Sequence, residues 1–220
     1  MVDMRVPSTL DDAAVVLAVK ALDDAKSRLR PLPRAHDDRP TLVAAMLADT
    51  LDAVTAIGPR RVVVVSPDAR VHEIAAGAGA TAVDEPVDAP AGWTPLNAAL
   101  ARGAAATDAS VIVYLQADLP ALGPDSLRAA LDAAASLDDA PAAFVADRDG
   151  SGTAMLVAVR GFAPLFGGGS ARAHRAAGAV ELDPDRLRWP DLRTDIDTPA
   201  DLAAARSLGL GPRTRHALGG

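Results

Sequence analysis

The sequence contains no cysteine, which removes several classes of protein at once. Disulfide frameworks, thiolate metal sites and cysteine nucleophiles are all excluded, and a protein of the reducing cytoplasm fits best. Aromatic residues make up only 3% of the 220 residues, so the apolar half of the chain consists mainly of alanine, valine and leucine. This composition favours helices packed on a sheet in a layered α/β fold with one domain.

Long apolar segments are also missing. No run approaches the about 18 uninterrupted apolar residues of a membrane span, and Met1 to Leu10 has no apolar run long enough for a signal peptide. The formal net charge of −7 argues against a broad surface for the phosphates of nucleic acid. We therefore expect neither a membrane nor a nucleic acid as a partner, and we expect a cytoplasmic location.

Short apolar runs alternate with helical patterns along the chain. The strand-like runs lie at 13–19, 61–65 and 111–115, with weaker ones at 80–83, 142–146 and 154–159. The helical patterns lie at 42–54, 68–76, 94–106, 124–135 and 198–208. The alternation predicts a doubly wound sheet formed by residues 12–208, with flexible termini at 1–11 and 209–220.

The first apolar run leads directly into a segment rich in positive charge. Lys20, Lys26 and Arg28 lie within nine positions at the expected carboxyl end of a strand, where doubly wound sheets bind their ligands. A solvated charged loop is the alternative interpretation. The segment from Lys20 to Leu29 contains no glycine, so it is neither a P-loop nor a dinucleotide-binding fingerprint. Side-chain cations would therefore have to contact the phosphates.

Two further segments place carboxylates where a metal ion can be held. Asp118 follows an apolar run directly, a position that commonly holds Mg²⁺ in nucleotide-handling α/β proteins, although it can also simply order the turn. Asp195 and Asp197 are two residues apart, so in extended backbone both point to one face. The alternative for this segment is a helix start with Thr198 as N-cap and Asp201 three residues later, but capping does not explain Asp195. Both interpretations are compatible.

A glycine-rich turn from Ala163 to Ser170 precedes a predicted helix, with Ser170 as its expected N-cap. Free backbone amides at such a turn can bind an anion, and Gly150 to Thr153 can add a hydroxyl group ahead of a strand. A flexible loop is the alternative for the turn. The four histidines lie in dissimilar contexts and are expected to be structural or surface residues: His36, His72, His174 and His216.

These features together resemble nucleotidyltransferases of the molybdenum-cofactor guanylyltransferase type. Within that superfamily, four motifs are similar to the 2-phospho-L-lactate/phosphoenolpyruvate guanylyltransferase family, and the match extends from about Val15 to Leu208. The motifs are Lys-x5-Lys-Ser-Arg-Leu from Lys20 to Leu29, Leu96-Asn97-Ala98-Ala99-Leu100, Gly152-Thr153 and Phe166-Gly167-x-Gly169-Ser170. The resemblance implies a single-domain, Rossmann-like, three-layer α/β nucleotidyltransferase fold with a mostly parallel central sheet.

The resemblance also implies a reaction. GTP and a phosphorylated three-carbon acid, phosphoenolpyruvate or 2-phospho-L-lactate, would give a guanylylated diphosphate and pyrophosphate in the biosynthesis of the deazaflavin coenzyme F-420. Mg²⁺ would be the cofactor, and the product would pass to a deazaflavin-accepting transferase. An ionised acceptor phosphate is already nucleophilic at pH 7, so the reaction needs no protein base.

The family motifs assign a role to each matching position. Lys20, Lys26 and Arg28 would contact the GTP phosphates, and Lys26 and Asp118 would be catalytic. Asn97 would contact the nucleoside. The remaining positions would hold the metal, Asp118, Asp195 and Asp197, and the acid acceptor, Thr153, Gly167 and Ser170.

Several alternatives stay open at the level of sequence. Phosphoenolpyruvate and phospholactate differ only in unsaturation at the carbon that bears the phosphate. A molybdenum-cofactor guanylyl- or cytidylyltransferase would use the same carboxylates, and a catalytically silent nucleotide-binding module would keep the same fold. The sequence also leaves a homodimer open.

Overall fold

The apolar runs of the sequence form the strands of one sheet. A computed structural model describes residues 12–29, 39–137 and 139–219, and within these residues the sheet has seven strands. The strands are β1 (Ala13–Ala18), β2 (Arg61–Val65), β3 (Thr81–Val83), β4 (Val111–Leu115), β5 (Ala142–Ala146), β6 (Thr153–Val159) and β7 (Val180–Glu181). Their order across the sheet is β3-β2-β1-β4-β6-β5-β7. Of these described strands only β6 runs antiparallel to its neighbours, so the prediction of a mostly parallel sheet is confirmed.

Helices cover both faces of the sheet. Within the described ranges the α-helices are α1 (Arg39–Ala56), α2 (Ala69–Gly77), α3 (Pro95–Ala105), α4 (Pro124–Ala135), α5 (Ser170–Ala176), α6 (Pro199–Leu208) and α7 (Pro212–Ala217), and Ser27–Leu29 forms one turn of 3-10 helix. Val15 and Leu17 of β1 share one apolar core with α1, α2, α4 and α6, whereas Ala14 and Val16 share the other core with α3 and α5. This alternation follows from the two-residue period of a strand and confirms the single three-layer α/β domain. None of the described helices is long and apolar enough to cross a membrane.

The helix starts follow the local chemistry of the sequence in most places. Thr198 is the N-cap of α6, and it forms a capping box in which the Asp201 carboxylate accepts from the Thr198 backbone N–H. Thr94 caps α3 and accepts from the Asn97 backbone N–H. The prediction that Ser170 caps α5 is wrong. Gly169 holds the N-cap position with φ +73°, which suits glycine, and the Ser170 hydroxyl points into the core instead.

The predicted flexible end at 209–220 is wrong for residues 209–219. These residues turn back at Gly209 and form α7 against α1. The Asp49 carboxylate of α1 accepts from the backbone N–H groups of Arg213 (3.1 Å) and Thr214 (2.8 Å), which lie in the first turn of α7. Such N–H groups have no acceptor inside their own helix, so the buried Asp49 carboxylate of α1 supplies the acceptor that the residues before α7 do not provide. Residues 1–11 and residue 220, also predicted to be flexible, lie outside the described residues.

Candidate active site

The carboxyl ends of β1 and β4 open into a cleft of about 600 Å³. The chain leaves β1 toward β2 on one side and leaves β4 toward the other side, so the cleft lies where the strand order reverses. Most of the predicted site residues line it: Lys20, Lys26, Arg28, Asp118, Gly167, Asp195 and Asp197. An apolar groove of about 640 Å³ between α1, α2 and α7 contains none of them.

Three carboxylates form the floor of the cleft. Asp118, Asp195 and Asp197 each place one carboxylate oxygen within 4.8 Å of the others. The Ile196 backbone N–H donates to the Asp118 carbonyl oxygen at 3.2 Å, and the Ile196 side chain is buried. With Ile196 directed into the core, Asp195 and Asp197 both face the cleft, as the two-residue spacing predicts.

Lys26 is the cation that contacts this acidic trio. Its Nζ forms an ion pair with Asp118 and lies 2.7 Å from Asp197 Oδ1. Burial alone would lower the pKa of Lys26, but attraction to Asp118 and Asp197 outweighs it, so the pKa lies above its ordinary value and the ammonium stays charged. The Lys26 backbone adopts φ +56°, an uncommon conformation for a residue other than glycine.

One positive charge does not neutralise three carboxylates. Burial, and then repulsion by Asp118, raise the pKa of Asp195 to about 7 even though Lys26 acts in the opposite direction. The site therefore carries negative charge that a further cation would compensate. Three clustered carboxylate oxygens are the donor set that hard divalent ions such as Mg²⁺ prefer, so the residues fit such an ion.

The loop that carries the cations is fixed by neighbours that the sequence did not reveal. The Leu22 backbone N–H donates to Asp68 Oδ2 at 2.9 Å, and Arg39 Nη1 donates to the Ala25 carbonyl oxygen at 2.6 Å. Asp68 is the N-cap of α2, so one carboxylate orders both a helix start and the loop. Lys20 and Arg28, before and after these two contacts in the chain, are exposed at the cleft and can meet an anionic ligand.

Asn97 lies beside the cleft rather than in its lining. Its amide oxygen accepts from the Phe166 backbone N–H at 2.8 Å, and its amide nitrogen donates to the Phe166 carbonyl oxygen at 3.0 Å. The side chain thus joins the start of α3 to the glycine-rich turn, and the neighbouring Leu96 lines the cleft. A contact between Asn97 and a nucleoside stays a prediction.

Thr153 and Ser170 are each only 2% exposed and lie behind the cleft wall. The Ser170 hydroxyl donates to Thr153 Oγ1 at 3.1 Å, and Thr153 Oγ1 lies 2.9 Å from His174 Nδ1. Gly167, with φ +138°, lines the cleft in front of them. The expectation that His174 is structural agrees with its complete burial. Contacts of Thr153, Gly167 and Ser170 with an acceptor stay predictions.

Two residues of the site were missed at the level of sequence. Gln116 lines the cleft, and its amide nitrogen donates to the Thr153 carbonyl oxygen at 3.4 Å. Its place two residues before Asp118, at the end of a strand, was the available signal. Arg193 is 2% exposed and donates to the carbonyl oxygens of Arg188 and Ala146, and its Nη2 contacts Asp183 Oδ2 at 2.9 Å. These bonds fix the segment that leads to Asp195, and no local sequence pattern predicts this role of Arg193.

Comparison with solved structures gives the fold to which the protein belongs. A nucleotidyl transferase from Methanothermobacter is 22% identical, with a TM-score of 0.55 over 89% of this chain and 96% of that one. Glucosyl-3-phosphoglycerate synthase from Mycobacterium tuberculosis, in a complex with Mn²⁺ and UDP, is 14% identical, with a TM-score of 0.56 over 89% of this chain and 76% of that one. The fold is thus the Rossmann-like fold of nucleotidyl and glycosyl transferases, with an acidic trio at the switch point of the sheet.

Comparison of sequences gives the family. Residues 13–205 match the family described as guanylyl transferase CofC like, and this chain belongs to it. A phosphoenolpyruvate guanylyltransferase from Mycobacterium sp. (strain KMS) is 49% identical over 210 residues, which cover 94% of this chain and 91% of that protein. Another, from Mycolicibacterium gilvum (strain PYR-GCK), is 47% identical over 94% of this chain and 95% of that protein. The family resemblance drawn from the four motifs is confirmed.

Proposed function

We propose that this chain transfers GMP from GTP to phosphoenolpyruvate, giving enolpyruvyl-diphospho-5'-guanosine and pyrophosphate. The observation that carries the proposal is the cleft in which Lys20, Lys26 and Arg28 face the acidic trio of Asp118, Asp195 and Asp197. Relatives that are 44% to 49% identical bear the name phosphoenolpyruvate guanylyltransferase, which favours this acceptor over 2-phospho-L-lactate. The product would enter the biosynthesis of coenzyme F-420 through a deazaflavin-accepting transferase, in the cytoplasm.

In the proposed reaction an oxygen of the phosphoenolpyruvate phosphate attacks the α-phosphorus of GTP. A new P–O bond forms, the bond from the α-phosphorus to the bridging oxygen breaks, and pyrophosphate leaves with the electron pair. The nucleophile is already ionised at pH 7, so the chain needs to align two anions rather than remove a proton. Lys20, Lys26 and Arg28 would contact the triphosphate and stabilise the negative charge that develops on pyrophosphate as it leaves.

Asp118, Asp195 and Asp197 would hold a Mg²⁺ ion. When bound, the ion would supply positive charge to the phosphate oxygens of GTP. Thr153, Gly167 and Ser170 would bind the acid acceptor, and Asn97 would order the nucleoside side of the cleft through its bonds to Phe166. A homodimer stays a prediction from the sequence alone.

The decisive variant is Asp118→Asn. We expect it to reduce pyrophosphate release from GTP and phosphoenolpyruvate by about a hundredfold or more, since it removes a charged ligand from the reacting centre. Asp132→Asn, on the exposed side of α4, is the matched control and should keep the wild-type rate. Wild-type turnover in Asp118→Asn would remove Asp118 from the site.

The substrates are tested on the wild-type protein. GTP, ATP, CTP and UTP are each supplied with phosphoenolpyruvate, 2-phospho-L-lactate or molybdopterin, and pyrophosphate is measured. We expect release with GTP and phosphoenolpyruvate. Release only with molybdopterin would overturn the assigned acceptor, and GTP binding without release from any acceptor would indicate a silent nucleotide-binding module.

A further inference from the structure

Three buried polar side chains form a cluster behind the glycine-rich wall of the cleft. Thr153 at the start of β6 and Ser170 and His174 of α5 are each at most 2% exposed, and we call them the hydroxyl cluster. None of the metal and phosphate contacts proposed above involves His174. A buried imidazole bonded to the Thr153 hydroxyl and to the Leu165 backbone N–H therefore requires its own explanation.

The protonation of His174 follows from its hydrogen bonds. The Leu165 backbone N–H donates to His174 Nε2 at 2.9 Å, and a backbone N–H can only donate. Nε2 is therefore an acceptor without a proton, so the neutral ring carries its proton on Nδ1. That N–H donates to Thr153 Oγ1 at 2.9 Å. Burial lowers the pKa of His174 to about 4, which agrees with a neutral ring.

Counting the protons of the hydroxyl cluster shows that one is left over. The Nδ1–H of His174 and the two hydroxyl groups supply three donors, but only two bonds join the three side chains. His174 Nδ1–H donates to Thr153 Oγ1, and one hydroxyl proton is used in the bond between Thr153 and Ser170. The other hydroxyl proton of this pair is therefore free to donate to an acceptor beyond the hydroxyl cluster.

The hydroxyl cluster lies directly behind residues that line the cleft. Gln116, in the lining, donates from its amide to the Thr153 carbonyl oxygen. Gly167, also in the lining, accepts through its carbonyl oxygen from the Ser170 backbone N–H at 3.1 Å. The rings of Phe166 and Phe144 pack on the imidazole at centroid distances of 5.2 and 5.9 Å, which holds its orientation.

We propose that His174 is a positioning residue for the acid acceptor: its Nδ1–H fills one lone pair of Thr153 Oγ1 and so leaves one hydroxyl proton of the Thr153–Ser170 pair to donate to an oxygen of the acceptor anion. This inference rests on the proposed function, since it assumes that the acceptor binds beside Gly167. A donor that is already aimed contributes more to binding than one that must first reorient. The neutral ring orders this donor without adding a charge to the site.

Two variants test the hydrogen bonds of the two ring nitrogens of His174 one at a time. In His174→Asn the amide nitrogen can replace Nδ1 and still donate to Thr153, whereas in His174→Gln the amide can replace Nε2 and accept from Leu165 but not reach Thr153. We expect His174→Gln to raise the KM for phosphoenolpyruvate about tenfold, with the KM for GTP unchanged, and His174→Asn to stay within about twofold of the wild type. Each variant loses one of the two bonds, so both should lower Tm to a similar extent.

A double-mutant cycle with Thr153 tests whether His174 acts through that hydroxyl. Thr153→Val keeps the shape of the side chain and removes its hydroxyl, so it should raise the same KM. Adding His174→Gln to it should then cause no further rise, because the group that His174 orients is gone. Independent, multiplying effects of the two substitutions would overturn the inference.

The tautomer is tested without any activity measurement. Nitrogen-15 spectra of the wild-type protein should show one imidazole with a protonated Nδ1 and an unprotonated Nε2 down to pH 5, and this signal should disappear in His174→Asn. A proton on Nε2 would overturn the inference even if both variants fold poorly.

The proposed function and the role of His174 would fail on different results. If wild-type protein releases no pyrophosphate with phosphoenolpyruvate, the proposed function fails first, and the role of His174 in acceptor binding fails with it. If the wild type is active and the two His174 variants show the same rise in KM, the proposed function stands and the positioning role is overturned.

Discussion

Lys26 decides the charge balance of the site at the scale of single residues. Its ammonium contacts Asp118 and Asp197, which are 79 positions apart in the chain yet share one cation in the fold. The ion pairs hold this side chain in place at the point where phosphates would arrive.

At the same scale, His174 predicts a specific dependence of stability on pH. Its folded-state pKa is about 4, below the ordinary 6.5, so below pH 6.5 the unfolded chain takes up a proton that the folded chain does not. Stability is unaffected above pH 6.5 and falls toward pH 4, by at most about 1.4 kcal/mol per pH unit from this residue. Urea unfolding at pH 7 and pH 5 should show a smaller loss for His174→Asn than for the wild type. Equal losses would mean that the ring is already charged in the folded state.

At the scale of elements, α3 sits unusually close to the sheet because Gly103 has no side chain. A Cβ atom at this position would meet methyl groups of Val16 in β1 and Val65 in β2. We expect Gly103→Ala to destabilise the protein by about 1–3 kcal/mol through overpacking, even though alanine is the better helix former.

The control for this substitution is Gly77→Ala at the end of α2. Nothing lies within 4 Å of a Cβ atom there, so alanine should leave the free energy of unfolding unchanged or raise it by up to about 1 kcal/mol. Urea unfolding of both variants measures the difference. A Gly103→Ala protein as stable as Gly77→Ala would mean that α3 can shift away from the sheet.

The strands and the site also show which features of the structure can be predicted from the sequence. The strands at 61–65, 111–115 and 142–146 were predicted with their observed bounds, because buried strands of a parallel sheet are continuous apolar runs with clear ends. The acidic trio was found because its residues follow strands or precede a helix, where local signals exist. The burial of Thr153, Ser170 and His174 was not predicted. It depends on contacts between residues that are 17 and 21 positions apart, and local periodicity carries no information about such contacts.

At the scale of the whole molecule, folding brings together carboxylates whose burial and mutual repulsion lower the stability of the folded state. Since burial and Asp118 disfavour the charged form of Asp195, Asp195→Asn should raise the Tm of the metal-free protein. The same variant should lose the rise in Tm that we expect Mg²⁺ to give the wild type, which is about 5–11 °C at a hundredfold excess over Kd. Thermal unfolding with and without Mg²⁺ tests both signs together, with Asp132→Asn as the variant that should behave like the wild type. A full Mg²⁺ effect in Asp195→Asn would remove this carboxylate from the metal site.

The last helix has a consequence for how the family can vary. Gly211 donates from its backbone N–H to the Pro120 carbonyl oxygen at 2.7 Å, two residues from Asp118, and any side chain at Gly211 would collide with Asp49. The segment that carries Asp118 is therefore held in place by the turn that leads into α7. Among relatives we expect positions 49 and 211 to be inherited as a pair, so that a sequence which loses the carboxylate also loses the restriction to glycine and, with it, the course of the chain beyond α6.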